Sequence, residues 1–398
     1  IWFDTKDEAM TLIQSLGKQA TVTSYKAKRN ETYAPKLFKL STAQKAADKL
    51  GYAAADTQRI IQSLYEKEYM SYPRTGCEFV HANENFEAML ASAAVVPELA
   101  GFVSKIEAKD IQRVKHTKKW VNDKAANEEG HTALVPTTKK PDWGSLSKEE
   151  KDIYTLVARQ FIAIFLPPLV QDKASLISDV AGNTFRSSGQ TLVSPGFTEI
   201  FGKGFSDNQI PAHKEGDVLD VADYNVSEKT TTCPKRYTTP EIIAVCENPA
   251  KFLDDKSLKK LGKRLKIGTP ATRSGIIEKL VKNKYIGTRK ENKRDIVYPT
   301  TAGLAIYQNI GDCKICKVDL TGECEEQLDL VRTGQLSKKE FEKNMYTMVR
   351  EFVEDLRSRE MNKVTIAGQK KSQYENIGTC PKCGKTLVRG PKMFYCNG

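Results

Sequence analysis

No stretch of these 398 residues approaches the ~20 consecutive apolar residues that a membrane-spanning helix needs. The longest candidate, Phe161-Ile162-Ala163-Ile164-Phe165-Leu166, stops at Pro167-Pro168, so no membrane partner is expected. A signal-peptide pattern is missing as well. Cysteine is sparse and odd in number: nine, scattered through a 44.5 kDa chain, do not make a secreted disulfide framework and imply a reducing, cytoplasmic compartment. Acidic residues are in deficit, 50 against 62 Lys and Arg, giving a net charge of +12. That balance favours a polyanionic partner, nucleic acid first and an acidic membrane surface second. No internal repeat is visible beyond two Thr-Pro helix starts, at Thr239-Pro240 and Thr269-Pro270. The chain opens on Ile1 rather than Met and reads as a piece excised from a longer protein.

What is present fits two to four domains, since the length exceeds one ordinary core. Asp7 to Leu16 has a short helical stripe, and Gln19 to Tyr25 alternates like a strand ahead of a polar connection at Arg29–Pro35. Ser41 suits the N-cap of a helix ending near Gly51, and Asp56 the cap of a helix with Ile60, Ile61, Leu64 and Tyr65 on its apolar face. Residues 82 to 172 read as mainly helical, with helices near Phe86–Ala94 and Lys148–Leu166 and a Lys-rich surface at Arg113–Asn127. From Lys173 to Val226 short alternating runs broken by Gly, Asn and Pro mark a small β region. Residues 239 to 305 form a basic unit in which a helix precedes a charged hairpin, the winged-helix pattern, and charged helices follow to Arg359 with Ser337 as a cap.

The most informative run is Tyr72-Pro73-Arg74-Thr75, entered from Glu68-Tyr69-Met70-Ser71. Pro73 lacks an N–H and biases Tyr72 away from the α region, so the tetrapeptide is expected to be extended, with the Tyr72 phenol and Arg74 guanidinium on one face. A phenol of ordinary pKa, about 10, is a poor nucleophile at neutral pH. A neighbouring guanidinium stabilises both the phenolate and the charge that develops on an attacked phosphate. An arginine tethered to Glu78 is the bland alternative.

Around this run stand Leu37-Phe38-Lys39-Leu40-Ser41-Thr42-Ala43-Gln44, the helix ending Gln62-Ser63-Leu64-Tyr65-Glu66-Lys67, Glu129-Gly130-His131-Thr132-Ala133-Leu134-Val135-Pro136-Thr137 and Ile267-Gly268-Thr269-Pro270-Ala271-Thr272-Arg273. In this order and spacing the segments resemble the type IA DNA topoisomerases, nearest the topoisomerase III branch. The likeness runs from about residue 20 to the C-terminus. The resemblance implies a multidomain α+β fold in which mostly helical, winged-helix-like domains are joined by a small β arch into a toroid. It divides the chain into 1–36 (helix and first part of the arch), 37–172 (helical, with the tyrosine), 173–238 (second part of the arch), 239–365 (helical base) and 366–398 (linker and start of a zinc ribbon). It makes Tyr72 the nucleophile that cuts one strand through a 5′-phosphotyrosine link, with resealing independent of ATP. Arg74 and His131 would act on the scissile phosphate, and Ser41, Gln44, Thr269 and Arg273 would hold the strand. Single-stranded DNA is the implied partner, and a monomer associated with the nucleoid is expected. The family's Toprim domain, with a lone Glu and an Asp-x-Asp-x-Glu site for Mg²⁺, is not found in these residues, so the chain by itself is expected to be inactive. Asp254-Asp255 and Glu325-Glu326 are only adjacent pairs on charged helices. One departure is that Gly76 stands where the family usually has Asp or Ser.

Cys380-Pro381-Lys382-Cys383-Gly384 is a zinc-ribbon knuckle and Phe394-Tyr395-Cys396 the start of a second half, three ligands where zinc needs four. Cys313-x-x-Cys316 with Cys324 lacks a paired knuckle and reads as core or surface thiols, and His81, His116 and His213 have no patterned context. The alternative reading, a non-catalytic single-stranded DNA-binding or architectural protein built on a winged helix, explains the charge and residues 239–305 but leaves Tyr72-Pro73-Arg74-Thr75 and His131 unexplained. A tyrosine recombinase would, by its family pattern, carry its tyrosine near the C-terminus.

Overall fold

The computed structural model describes residues 2–202, 204–252, 265–291, 294–360, 375–389 and 393–396. The chain divides into two compact units, Ile1–Glu278 with Lys290–Ile296, and Lys279–Arg289 with Val297–Gly398. The Asp254-Asp255 pair and residues 366–374 of the expected linker lie outside the described residues.

The first unit opens with α1 (Lys6–Ser15), whose start is fixed by a reciprocal cap: the Glu8 N–H donates to Thr5 Oγ1 and the Thr5 N–H to the Glu8 carboxylate. Then comes β1 (Gln19–Thr32), far longer than the short strand expected. The Arg29–Thr32 stretch, read from sequence as a connection, is strand, because each of its residues pairs with β2 (Leu169–Val180) and Arg29 grips Asp172 across the ladder at 2.9 Å. A polar sequence becomes strand when its cross-strand neighbour is complementary. With β3 (Asn183–Ser194) and β4 (Val218–Asp220) these form an antiparallel sheet in the order β3-β2-β1-β4. The β region therefore begins at Leu169, ahead of the expected 173.

Between β1 and β2 the chain builds its core from α2 (Leu40–Asp48), α3 (Ala54–Glu66), α4 (Phe86–Ala93), α5 (Pro97–Val103), α6 (Ala108–Lys115), α7 (Asp123–Glu129) and α8 (Lys148–Ala163). Helix α8 is the axis: Ile153, Tyr154, Val157, Ala158 and Phe161 are all buried, and the run Phe161–Leu166 is core. Phe86, Phe161 and Phe165 meet with ring centroids 5.2–6.4 Å apart. Each such buried side chain is worth about 1.5–3 kcal/mol over an exposed one. The expected Lys-rich surface at Arg113–Asn127 is only half right. Val114, Trp120 and Ala126 are buried between the lysines, and Arg113 donates to the carbonyls of Ile164, Phe165 and Leu166 at the end of α8. Those carbonyls have no intrahelical partner, which is why a guanidinium suits the place.

Two expected caps are displaced. Helix α2 starts two residues earlier, with Lys39 as its cap residue and the Lys39 N–H donating to Thr42 Oγ1, so Ser41 lies inside its first turn. Asp56 likewise sits in the first turn of α3, where it pairs with Arg59. Helix α9 (Thr239–Glu247) does begin as expected, Pro240 in its first turn and the Thr238 N–H on Glu241. The Thr269-Pro270 start is different: a hydrogen-bonded turn intervenes and α10 runs Arg273–Lys282. Strands β5 (Ile286–Glu291) and β6 (Arg294–Pro299) form the expected hairpin. Helices α11 (Thr301–Ile310), α12 (Val318–Arg332) and α13 (Lys338–Ser358, capped by Ser337) follow. A three-stranded sheet of β7 (Glu375–Thr379), β8 (Thr386–Arg389) and β9 (Phe394–Cys396) comes last among the described elements.

A glycine controls where the sheet meets the core. Gly196 has φ +50° and a Cβ added there would lie 2.1 Å from the Pro168 carbonyl oxygen. Backbone cannot retreat as a flexible side chain can, so Gly196→Ala combines a left-handed penalty with an overpacked contact, together about 3 kcal/mol. Calorimetry of the variant should show the main transition lowered by about 5–10 °C; an unchanged melt would mean the contact relaxes at no cost.

Candidate active site

The site is assembled by hydrogen bonds between segments that are distant in sequence. The strand-like run 133–137 lies between two others: the Leu134 N–H donates to the Phe38 carbonyl, the Ser71 N–H to the Val135 carbonyl, and the Thr137 N–H to the Tyr69 carbonyl. Ser71 Oγ adds a bond to the Ala133 carbonyl at 2.7 Å and accepts the Val135 N–H at 3.0 Å. These bonds carry His131 onto Tyr72. The two rings stack, centroids 4.1 Å apart and planes inclined by 29°. Tyr65, from the last turn of α3, approaches the Tyr72 ring nearly at right angles, 5.6 Å between centroids.

Pro73 and Arg74 form a turn, so the extended tetrapeptide expected from the sequence is not formed and the period-two argument for pairing Tyr72 with Arg74 does not apply. The proline does hold Tyr72 out of the helix, yet it also occupies a corner position, to which its fixed φ is equally suited. Tyr72 is half-buried, Pro73 and Thr75 are buried, and Arg74 is exposed. Glu78 does not tether Arg74; it pairs with Lys36 at 3.1 Å. Gly76 lies against Glu129, whose Oε2 is 2.9 Å from where a Cβ would stand. A carboxylate thus adjoins position 76 although residue 76 itself carries no side chain.

A second cluster joins the first through the Leu40 N–H, which donates to the Thr75 carbonyl at 3.1 Å and so hangs the start of α2 directly behind the Tyr72 turn. Ser41, in that first turn, is 6% exposed, and its hydroxyl has no hydrogen-bond partner among the described residues. Gln44 is buried and its Nε2 donates to the Ala54 carbonyl and to Ser274 Oγ at 2.9 and 2.8 Å. Arg273, read from sequence as a strand contact, is 4% exposed and turned inward. Its fork donates to the carbonyls of Ile267 and Gly268 and pairs with Glu247 at 3.2 Å, and Glu247 also pairs with Lys39 at 2.7 Å. Burial draws the Arg273 pKa below its ordinary value, with Glu247 opposing the shift. Thr269 stands just ahead of α10, its carbonyl accepting from the Thr272 and Arg273 N–H groups. Gln44 and Arg273 therefore tie α2 to α9 and α10. Sequence reading missed their partners Lys39, Glu247 and Ser274, since each needs a contact that no local pattern encodes.

In the second unit, Cys380, Cys383 and Cys396 bring their sulfurs within 4.8 Å of one another. The Cys380 thiol is drawn down to about 7, chiefly by the backbone N–H groups of Lys382 and Cys383, with the other two thiols adding to it. Three thiols in ligating range fit a soft ion such as zinc and not magnesium, which takes oxygen ligands. Among the described residues this is the one group of three or more metal-ligating side chains in range. No described helix is long and apolar enough to cross a membrane.

A stacked tyrosine and histidine, with an exposed arginine two residues after the tyrosine, on a basic chain, is a set suited to phosphodiester chemistry. The family model for DNA topoisomerases matches residues 1–343, and the chain belongs to that family. It is 29% identical over 402 residues to the DNA topoisomerase 3 of Bacillus subtilis, covering 96% of this chain and 52% of that protein. The DNA topoisomerase 3 of Bacillus licheniformis is 30% identical over 397 residues, 94% of this chain and 51% of its own length. The chain thus spans about half the length of the curated relatives it matches. A solved structure of full-length topoisomerase I from Thermotoga maritima matches the fold with a TM-score of 0.59 and 22% identity, over 100% of this chain and 61% of that one.

Proposed function

We propose that the chain is the strand-cutting and strand-holding part of a type IA topoisomerase, and that Tyr72 is its nucleophile. The observation that carries this reading is the Tyr72–His131 stack, two residues along the chain from Arg74, which is exposed and has no ion-pair partner among the described residues. Tyr72 Oη attacks the scissile phosphorus; the new O–P bond forms as the bond to the 3′-oxygen breaks. The phenolic proton passes to solvent, and a proton from solvent or a neighbouring carboxylic acid is delivered to the departing 3′-oxygen, so protons and charge balance. The link is then a 5′-phosphotyrosine ester whose energy serves resealing without ATP. Arg74 neutralises the non-bridging oxygens. Ring stacking keeps the His131 nitrogens off the Tyr72 hydroxyl, with no hydrogen bond between the two among the described residues, so His131 serves the phosphate oxygens and not the phenol. Ser41, whose hydroxyl in the first turn of α2 is unpaired among the described residues, takes a neighbouring phosphate, Thr269 does the same ahead of α10, and Gln44 and Arg273 support both by holding the helices together.

The remaining readings belong to the same proposal: segments 1–36, 37–172, 173–238, 239–365 and 366–398 as domains, a winged helix within 239–365, a toroid closed by the β arch, a monomeric protein of the cytoplasm and nucleoid, and single-stranded DNA as substrate. Cys380, Cys383 and Cys396 would hold zinc with one further ligand, a structural centre that ties the last strands together. Magnesium, when bound, would neutralise phosphate charge; the described residues bring no carboxylate trio into range for it, so no step here passes through it.

Binding is the simplest test. With +12 net charge, the chain should prefer single-stranded to duplex oligonucleotides, its affinity falling about tenfold or more between 50 and 200 mM salt. Fluorescence anisotropy reads this directly, and salt-independent affinity would contradict it.

A further inference from the structure

Resting on the reading of Tyr72 as nucleophile, we propose that Tyr65 is a positioning residue that holds the Tyr72 ring at the angle of attack. The backbone brings the two together by a local reversal. Helix α3 ends at Glu66, and Glu68 then adopts a left-handed conformation, φ 63°, which a non-glycine residue enters only when its surroundings hold it there. They do: the Glu68 N–H donates to the Tyr65 carbonyl and the Tyr69 N–H to the Leu64 carbonyl, while Thr137 Oγ1 donates to the Glu68 carbonyl and Lys139 pairs with its carboxylate at 2.6 Å. The chain is sent back along the last turn of α3, and Tyr72 arrives beside Tyr65.

Core packing does not explain Tyr65. Leu64 is the fully buried residue of that turn, whereas Tyr65 is 40% exposed. Its hydroxyl makes no hydrogen bond among the described residues, so the ring alone makes the contact. A tyrosine side chain has two torsions to fix. The His131 stack fixes the plane of the Tyr72 ring against one neighbour, and the perpendicular Tyr65 ring, interplanar angle 85°, meets it from a second direction. Edge-to-face contacts of this kind are directional. Without Tyr65 the phenol retains its chemistry but swings more freely, and the productive orientation is less populated. His131 alone would then restrain it.

The test uses the complete polypeptide that carries these residues, with Mg²⁺ and a 3′-end-labelled single-stranded oligonucleotide at saturating concentration, reading the single-turnover rate of adduct formation. Tyr65→Ala should form the adduct about tenfold more slowly, with oligonucleotide affinity and melting temperature unchanged. Tyr65→Phe, which keeps the ring, should match the wild type within about twofold, and Tyr65→Leu, which keeps bulk without the quadrupole, should follow Ala. An Ala variant with wild-type rate overturns the proposal. So does a Phe variant as slow as Ala, which would assign the role to the hydroxyl, or weaker binding with an unchanged rate, which would make Tyr65 a stacking platform for a base. If the wild type forms no adduct, the reading of Tyr72 fails instead, and the two failures are distinct.

Discussion

Incubated by itself with supercoiled plasmid and Mg²⁺, the 398-residue chain should leave the plasmid supercoiled, and adding the acidic, metal-binding domain of a topoisomerase 3 should restore relaxation. The expectation follows from what the site holds and what the reaction demands. On the proposed reading, Tyr72, Arg74 and His131 would supply a nucleophile and phosphate ligands. Expelling a 3′-alkoxide also needs a proton at the leaving oxygen and charge neutralisation around phosphorus, the first of which alone raises a rate by about 10²–10⁴-fold. Glu129 lies against Gly76, just past the Tyr72 turn, and no group of three or more metal-ligating side chains forms there among the described residues. Relaxation by the chain alone would mean that these residues complete the chemistry, Glu129 being the first candidate for the acid.

The second large effect concerns stability. Glu247→Ala should destabilise the first unit by about 3–5 kcal/mol, because it leaves the Arg273 guanidinium buried without its counter-charge. Lys39 loses its partner at the same time. Arg273→Met with Glu247→Leu, which removes both charges, should cost clearly less than Glu247→Ala alone. Chemical denaturation of the three proteins decides it; equal losses for single and double variants would show that packing, not charge, holds α9 and α10 at α2.

These two predictions sit at opposite ends of what the sequence discloses. Tyr72, Arg74 and His131 were legible because short motifs with unusual residues flag them, and the structure brings Tyr72 and His131 into contact over a long separation. Arg74 does not follow from a strand period: Pro73 makes a corner as readily as an extended chain, and here it makes a corner. Helix positions in 82–172 followed from apolar spacing, while caps were misplaced at Ser41 and Asp56 because Thr42 and the chain's own turns provide what a cap residue would. The inward-facing Arg273 was illegible for a different reason. A guanidinium beside a helix start reads as a phosphate ligand unless Glu247, from another helix, is known to be there. Tyr65 looked like part of an apolar helix face, and only the left-handed Glu68, which nothing in the sequence announces, turns the Tyr72 segment back onto it. The extent of β1 was hidden in the same way, its polar end becoming strand through Asp172.

The claim on which all of this depends is that Tyr72 is the covalent attachment point. The direct measurement traps the complete polypeptide on single-stranded oligonucleotides labelled at one end or the other, digests the protein, and identifies the peptide that carries the nucleotide. The account predicts that 3′-labelled DNA alone becomes protein-bound, that the peptide contains Tyr72, and that Tyr72→Phe abolishes the adduct while single-strand affinity stays within about twofold. Protein-bound 5′-label, or an adduct of undiminished yield in the phenylalanine variant, would contradict it.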